Sequence, residues 1–353
     1  MTTLRLPMIR PILALCAGLA LSATAQNTPK FEEVYKVLQD NLGGVSTEEL
    51  NQAAIKGLLE QYPTRVILGG ATNPPVTVDE VLTGTRTTLL DGSVEYFRIG
   101  RIVGDVAEKL STAHAQILST NKGRTRGIIL DLRFADGVDY AAAGAVADLF
   151  LDSDQPILSW AGGSAQATKK TNAITKPLAI LVNSQTTGAA EALAAILRES
   201  SLGLIIGSPT GGQSSIYKEF TLSDGTRLRI ATDPIKLAGG KPVIVIKPDI
   251  AMTIPLEDEK AYLKDPYANL HPAPRLPGAT NQMDDLQTNR IRRRMNEAEL
   301  VRQQKEGNGA DEESPITAAK NAPFQPTLTD PALIRGVDLV KALAVVQKTK
   351  SRD

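Results

Sequence analysis

Hydroxyl-bearing residues that could act as nucleophiles gather at two places in the chain: Ser184, Thr186 and Thr187 in one, Ser214 and Ser215 in the other. Lys169, Lys170 and Lys218 are the candidate bases. A hydroxyl is a weak nucleophile until a base takes its proton, and a lysine made neutral by burial can do so. The surroundings of the first group suit such chemistry, for Pro177 to Leu197 reads PLAILVNSQTTGAAEALAAIL. Leu178 to Val182 is an apolar run of strand type, a polar turn follows, and from Gly188 the residues are small or helix-favouring. A strand, a tight turn and a helix start present backbone N–H groups and the positive end of a helix dipole to whatever lies above them. The ordinary role of a hydroxyl beside a turn is a cap or a turn hydrogen bond, and that reading stands beside the catalytic one.

The same stretch resembles the active-site segment of the C-terminal processing peptidases, also called tail-specific proteases. There a strand ending in V-N leads into S/T-A-S-A-S-E and a helix. Asn183 and Glu191 match that pattern, Thr186 takes its first hydroxyl position, and Ala189 matches the residue after the nucleophile. The nucleophile's own position is Gly188. The family's general base is a lysine in a later G-E-x-T-F-G-K-G-x-V-Q segment, answered here by GSPTGGQSSIY from Gly207 to Tyr217. Gln213 stands in the lysine's place, with the family's spacing from residue 188, and Tyr217 in that of an accessory glutamine. The resemblance thus implies a retained architecture in which both members of the Ser-Lys dyad are replaced. In a well-studied serine protease, losing nucleophile or base lowers turnover by roughly 10⁶.

The family also carries D-L-R-x-N-P-G-G, where a glycine N–H forms part of an oxyanion hole. Asp131, Leu132, Arg133 and Gly137 are kept here, while Asp136 replaces the proline and Val138 the second glycine. The resemblance makes the backbone of Gly137, Gly188 and Ala189 the candidate oxyanion-type or peptide-binding donors. A β-branched residue does not easily take the positive φ that glycine tolerates, so the loop at Val138 is expected to be reshaped. Asp131 and Arg133 also read as a structural ion pair at a strand end.

These residues need a frame to position them. Phe31 to Leu42 and Ser46 to Tyr62 show helical periodicity, the second with Ser46 as N-cap and Glu48 and Glu49 in its first turn. Thr85 to Asp91 and Ser93 to Ile99 read as strands about an Asp91-Gly92 turn. Val106 to Thr120 and Tyr140 to Leu151 are helical, Gly127 to Leu132, Pro156 to Trp160 and Leu202 to Ile206 strand-like, and Gly162 to Thr175 a loop. Phe220 to Leu222 and Arg227 to Thr232 flank a turn at Ser223 to Thr226, and Val243 to Ile250 resembles the family's closing strand.

Strand and helix alternate, which implies a sheet covered by helices. The resemblance runs from Glu32 to Ile250 and implies an α/β fold, a crotonase/ClpP-like tail-specific-protease core with an N-terminal helical hairpin and a C-terminal helical extension. The expected division is a signal peptide at 1–25, an N-terminal helical segment at 26–70, and short linker and strands at 71–94. The peptidase-like core follows at 95–257, a charged helix and flexible segment at 258–329, and a C-terminal helix at 330–353. About 30 residues separate Tyr62 from the next family-like strand, too few for the PDZ domain the family places there. Asp330 and Pro331 open a last helix that resembles the family's terminal D-P-x-L-x-x-A helix and is expected to dock on the core.

Composition limits the function. The 353 residues carry 39 Lys plus Arg against 39 Asp plus Glu, so nothing argues for nucleic acid. One cysteine, Cys16, and two histidines, His114 and His271, are too few for a Cys/His metal site, and no cofactor is implied. Arg5 and Arg10, the run Ile12 to Leu21, and Ala23-Thr24-Ala25 before Gln26 read as a cleaved signal peptide, hence a secreted or periplasmic protein without a membrane span once mature. Met283 to Lys305 is a mixed-charge helix with a solvated face, and Gly307 to Thr327 has a flexible composition. Three functions stay open: an inactive peptidase relative that binds a peptide or protein C-terminus, a hydrolase with a relocated nucleophile, and an assembly scaffold.

Overall fold

The computed structural model describes residues 29–69, 80–270 and 327–350. The expected signal peptide, the linker at 71–78, the charged helix at 283–305, residues 307–326 and His271 lie outside them. The chain divides into two compact units, one ending at Gln61 and the other beginning at Tyr62.

The first unit is a helical pair, α1 (Phe31–Asn41) and α2 (Thr47–Gln61). Ser46 caps α2 reciprocally: its Oγ accepts from the Glu49 N–H at 3.2 Å, and the Glu49 carboxylate accepts from the Ser46 N–H at 2.8 Å. Neither helix has a buried residue.

The second unit is built on a six-stranded sheet of β2 (Thr85–Leu90), β3 (Val94–Ile99), β4 (Gly127–Asp131), β7 (Leu178–Val182), β8 (Gly203–Gly207) and β12 (Ile250–Ala251), in the order β12-β8-β7-β4-β3-β2. Every pairing is parallel except that of β2 with β3, whose three-residue connection 91–93 has Asp91 and Gly92 both at positive φ. Parallel strands need both faces covered, which is why β7 is apolar throughout and β4 is apolar up to Asp131 at its end. Alternation then sorts their side chains. Ile128, Leu130, Leu178, Ile180 and Val182 pack with α4 (Val106–Thr120), α5 (Tyr140–Asp148) and α6 (Gly188–Glu199). Ile129, Ala179 and Leu181 face the opposite way and pack with Ala332, Leu333, Val337 and Val340 of the C-terminal helix α8 (Pro331–Lys350).

Two smaller sheets complete this unit. One orders β1 (Val66–Gly69), β10 (Arg227–Pro234) and β9 (Ser215–Thr221); the other orders β11 (Lys236–Leu237), β5 (Gln155–Trp160) and β6 (Gly163–Ala167). Short helices α3 (Glu80–Thr83) and α7 (Leu256–Lys264) fill out the edge.

Three details differ from the pattern read in the sequence. Val66 to Gly69, within the expected helical segment, is a strand because it pairs antiparallel with β10 more than 150 residues away. Gly163 to Ala167, expected as loop, pairs with β5. The closing strand shrinks to Ile250 and Ala251: Pro242 and Pro248 lack an N–H to donate, and Ile244 and Val245 turn outward.

Candidate active site

β7 ends at Val182 and α6 starts at Gly188, so the turn between them delivers its residues to the carboxyl edge of the parallel sheet. The buried Asn183 organises this turn. Its Oδ1 accepts from the N–H groups of Phe134 at 3.0 Å and Gln185 at 3.1 Å, and its Nδ2 donates to Glu259 on α7 at 2.7 Å. The Thr186 hydroxyl donates to the Leu132 carbonyl at 2.8 Å and accepts from the Asn183 N–H at 3.0 Å. Thr186 is therefore a buried turn residue. Ser184 is exposed, and Thr187 is the extended N-cap of α6 without a side-chain cap bond.

The loop after β4 closes on the start of α6. The Thr187 N–H donates to the Ala135 carbonyl at 2.9 Å, and the Ala189 N–H donates to the Gly137 carbonyl at 2.8 Å. Ala189 was expected to offer a ligand its amide; that amide already has an acceptor within the chain. Gly188 has φ +59°, and any Cβ there would overlap the Gly137 carbonyl oxygen. Gly137 itself takes φ +144° against Ile102. Asp136 anchors the loop: its carboxylate accepts from Arg101 Nε at 2.8 Å and Nη2 at 3.0 Å, while its backbone bonds Gly100 and Ile102. Val138 is left 78% exposed on this loop.

The second segment meets the first through Glu191, buried in the first turn of α6. One carboxylate oxygen accepts from the Thr210 hydroxyl and the Gly212 N–H, the other from the Gln213 N–H at 2.9 Å and the Ser214 hydroxyl at 2.8 Å. The Ser214 hydroxyl also lies 2.9 Å from the Gly188 carbonyl and divides its single proton between two acceptors. Burial pushes the Glu191 carboxyl above its usual range, against the pull of these four donors. Tyr217 donates to the Thr64 carbonyl at 2.6 Å and Tyr140 to the Ser215 carbonyl at 3.0 Å.

Gly137, Gly188, Ala189, Gln213 and Ser214 thus converge, the last two through the Glu191 carboxylate. The candidate bases are engaged or exposed elsewhere. Lys170 pairs with Asp148 of α5 at 2.6 Å, Lys169 is exposed, and Lys218 is exposed on β9 opposite Ile230 of β10. Sequence reasoning placed Glu191 and Asp136 in the two motifs but foresaw the partners of neither. A lone carboxylate in the run Gly188-Ala189-Ala190-Glu191-Ala192 was the available signal, since a buried charge needs partners.

Glu191→Gln is expected to lower stability by about 1–3 kcal/mol, because the amide turns an NH₂ toward either the Gly212 or the Gln213 N–H and leaves that donor unbonded. Urea unfolding of the two proteins measures it, and an unchanged midpoint would show that the donors re-pair.

The core is thus a largely parallel sheet sandwiched between helices, with the loop after β4 closed over the start of α6 at its carboxyl edge. Residues 93–252 match the model of peptidase family S41. The chain is 31% identical over 183 residues to the carboxy-terminal processing protease CtpA of Bacillus subtilis (strain 168), covering 50% of this chain and 38% of that protein. It is 30% identical over 180 residues to the chloroplastic carboxyl-terminal-processing peptidase 2 of Arabidopsis thaliana, covering 46% and 34%. Among solved structures, the photosystem II D1 C-terminal processing protease aligns with 55% of this chain and 50% of its own, at 24% identity and a TM-score of 0.37. Over residues 93–252 the chain is thus similar to peptidase family S41. It spans little more than a third of the length of these two curated relatives.

Proposed function

We propose that this protein is a non-hydrolytic member of its family that binds extended peptide segments, protein C-termini among them. The observation that carries the reading is the closure at Gly188: no heteroatom stands at the position, and the Gly137 carbonyl fills the space a side chain needs. The same carbonyl takes the Ala189 amide, one of the donors an oxyanion would use. Gln213 supports the reading too, because an amide takes no proton near neutral pH.

Peptide is the favoured ligand class on two grounds. β9 is the outer strand of its three-stranded sheet and begins two residues after Gln213, so one edge of it is open to a further strand. Val138 and Ile244, 78% and 68% exposed, offer aliphatic surface on the loops beside Gly137 and Thr210.

Incubating the protein with unstructured peptides while following both cleavage and fluorescence anisotropy tests this. Saturable binding without new termini is expected. Turnover abolished by Thr187→Ala or Ser214→Ala would replace the proposal with a relocated hydrolytic centre.

A further inference from the structure

β4 and β7 run parallel, so the residues that lead into them, 124–126 and 176–177, share the edge of the sheet opposite to Gly188. The last turns of α8 reach the same edge and enclose with them a groove of about 930 Å³. Arg124, Arg126, Lys176 and Lys348 line it, and among the described residues no Asp or Glu does. In a chain whose charges cancel overall, Arg124, Arg126 and Lys176 on one concave surface are a local concentration of positive potential. Arg124, Arg126 and Lys176 form no ion pair with a described residue.

A second observation is independent of charge. Thr125, in the wall of the same groove, is 5% exposed, and its Oγ1 has no hydrogen-bond partner among the described residues. A buried hydroxyl without a partner costs free energy, and nearly all find one in protein, water or ligand. Pro177, Ala344 and the 62% exposed Val345 add an apolar wall.

We propose that this groove binds phosphoryl oxygens of a small molecule, with Arg124 and Arg126 as the forked donors, Lys176 as a point charge and Thr125 donating to one oxygen. Planar guanidinium groups match phosphate geometry two bonds at a time, and the volume is that of ordinary small-molecule sites. The apolar wall further assigns the ligand an organic body, so a nucleoside diphosphate is held more tightly than inorganic pyrophosphate.

Isothermal titration of the full chain with pyrophosphate and with a nucleoside diphosphate tests this, with sodium chloride matched in ionic strength as the control. Saturable binding of both phosphoryl compounds is expected. Arg124→Ala and Arg126→Ala should each weaken it about tenfold, as loss of a charge-assisted hydrogen bond does. Thr125→Val preserves shape and should also weaken binding while leaving the unliganded melting temperature unchanged or raised. No saturable heat at millimolar ligand, or affinity indifferent to both arginine substitutions, overturns the site. Equal affinity for the two compounds overturns the part assigned to the apolar wall.

Discussion

Gly188→Ser, with or without Gln213→Lys, is expected to yield a less stable protein and no peptidase. Residue 188 lies at φ +59°, in the left-handed region, which costs an L-residue about 1–2 kcal/mol. The new Cβ also meets the Gly137 carbonyl, and overpacking adds about 1–3 kcal/mol. The sum is about 3 kcal/mol, or a fall of about 6–12 °C in melting temperature for a domain of this size. Gly188→Ala separates the causes. It carries the same Cβ without a hydroxyl, so it should fall by the same amount if the backbone is responsible. The double variant should cleave unstructured peptides no faster than the parent, because its serine would have to displace the very carbonyl that takes the Ala189 N–H. A gain of cleavage in the double variant would show that the loop 133–137 yields, and the closure at Gly188 would then no longer carry the proposed function.

The second large effect lies behind the site. Arg133 is buried with Asp131 and Asp330, at 2.7 and 2.8 Å from its Nη2. Tyr96 donates to Asp131 at 2.9 Å, and Asp330 also accepts the N–H groups of Ala332 and Leu333, capping α8. Removing one partner of a buried ion pair costs about 3–5 kcal/mol, because the other charge stays buried and uncompensated. Losing an N-cap costs about 1 kcal/mol more. Asp330→Ala is therefore expected to destabilise by about 4 kcal/mol and to release α8 to limited proteolysis, whereas Asp330→Asn keeps the cap and loses only the charge. Equal proteolysis of wild type and Asp330→Ala would show that α8 docks through its apolar face alone.

This cluster also sets an acid limit. Burial by itself would raise the Asp131 carboxyl, but the charge and hydrogen bonds of Arg133, helped by Arg98, hold it below the usual carboxylate range. A depressed folded value means that the stabilisation is whole above an unfolded pKa of about 3.9 and is lost as pH falls through the lower folded value. In Arg133→Ala only Arg98 is left to oppose burial, so that variant should lose less stability than the parent as pH falls. Unfolding midpoints across the acid range compare the two slopes.

The residues around 188 were legible locally. The apolar run Leu178 to Val182, the polar turn and the small-residue run from Gly188 each carry their conformation in a few neighbouring side chains, and the strand and helix begin where that pattern places them. Ser46 and Glu49 announced a helix start for the same reason. Val66 to Gly69 and Gly163 to Ala167 did not, because four or five residues hold too little period to separate strand from loop until a partner is supplied.

What the sequence determined by itself is the chemistry that position 188 lacks: glycine has no side-chain oxygen and Gln213 no basic nitrogen, wherever the fold puts them. What only the tertiary structure decided is what occupies their place. The Gly137 carbonyl reaches Ala189 because Asp136 binds Arg101 and Phe134 binds Asn183, contacts that cross between strands and helices far apart in the chain. Their energies depend on distances that no local run of residues encodes.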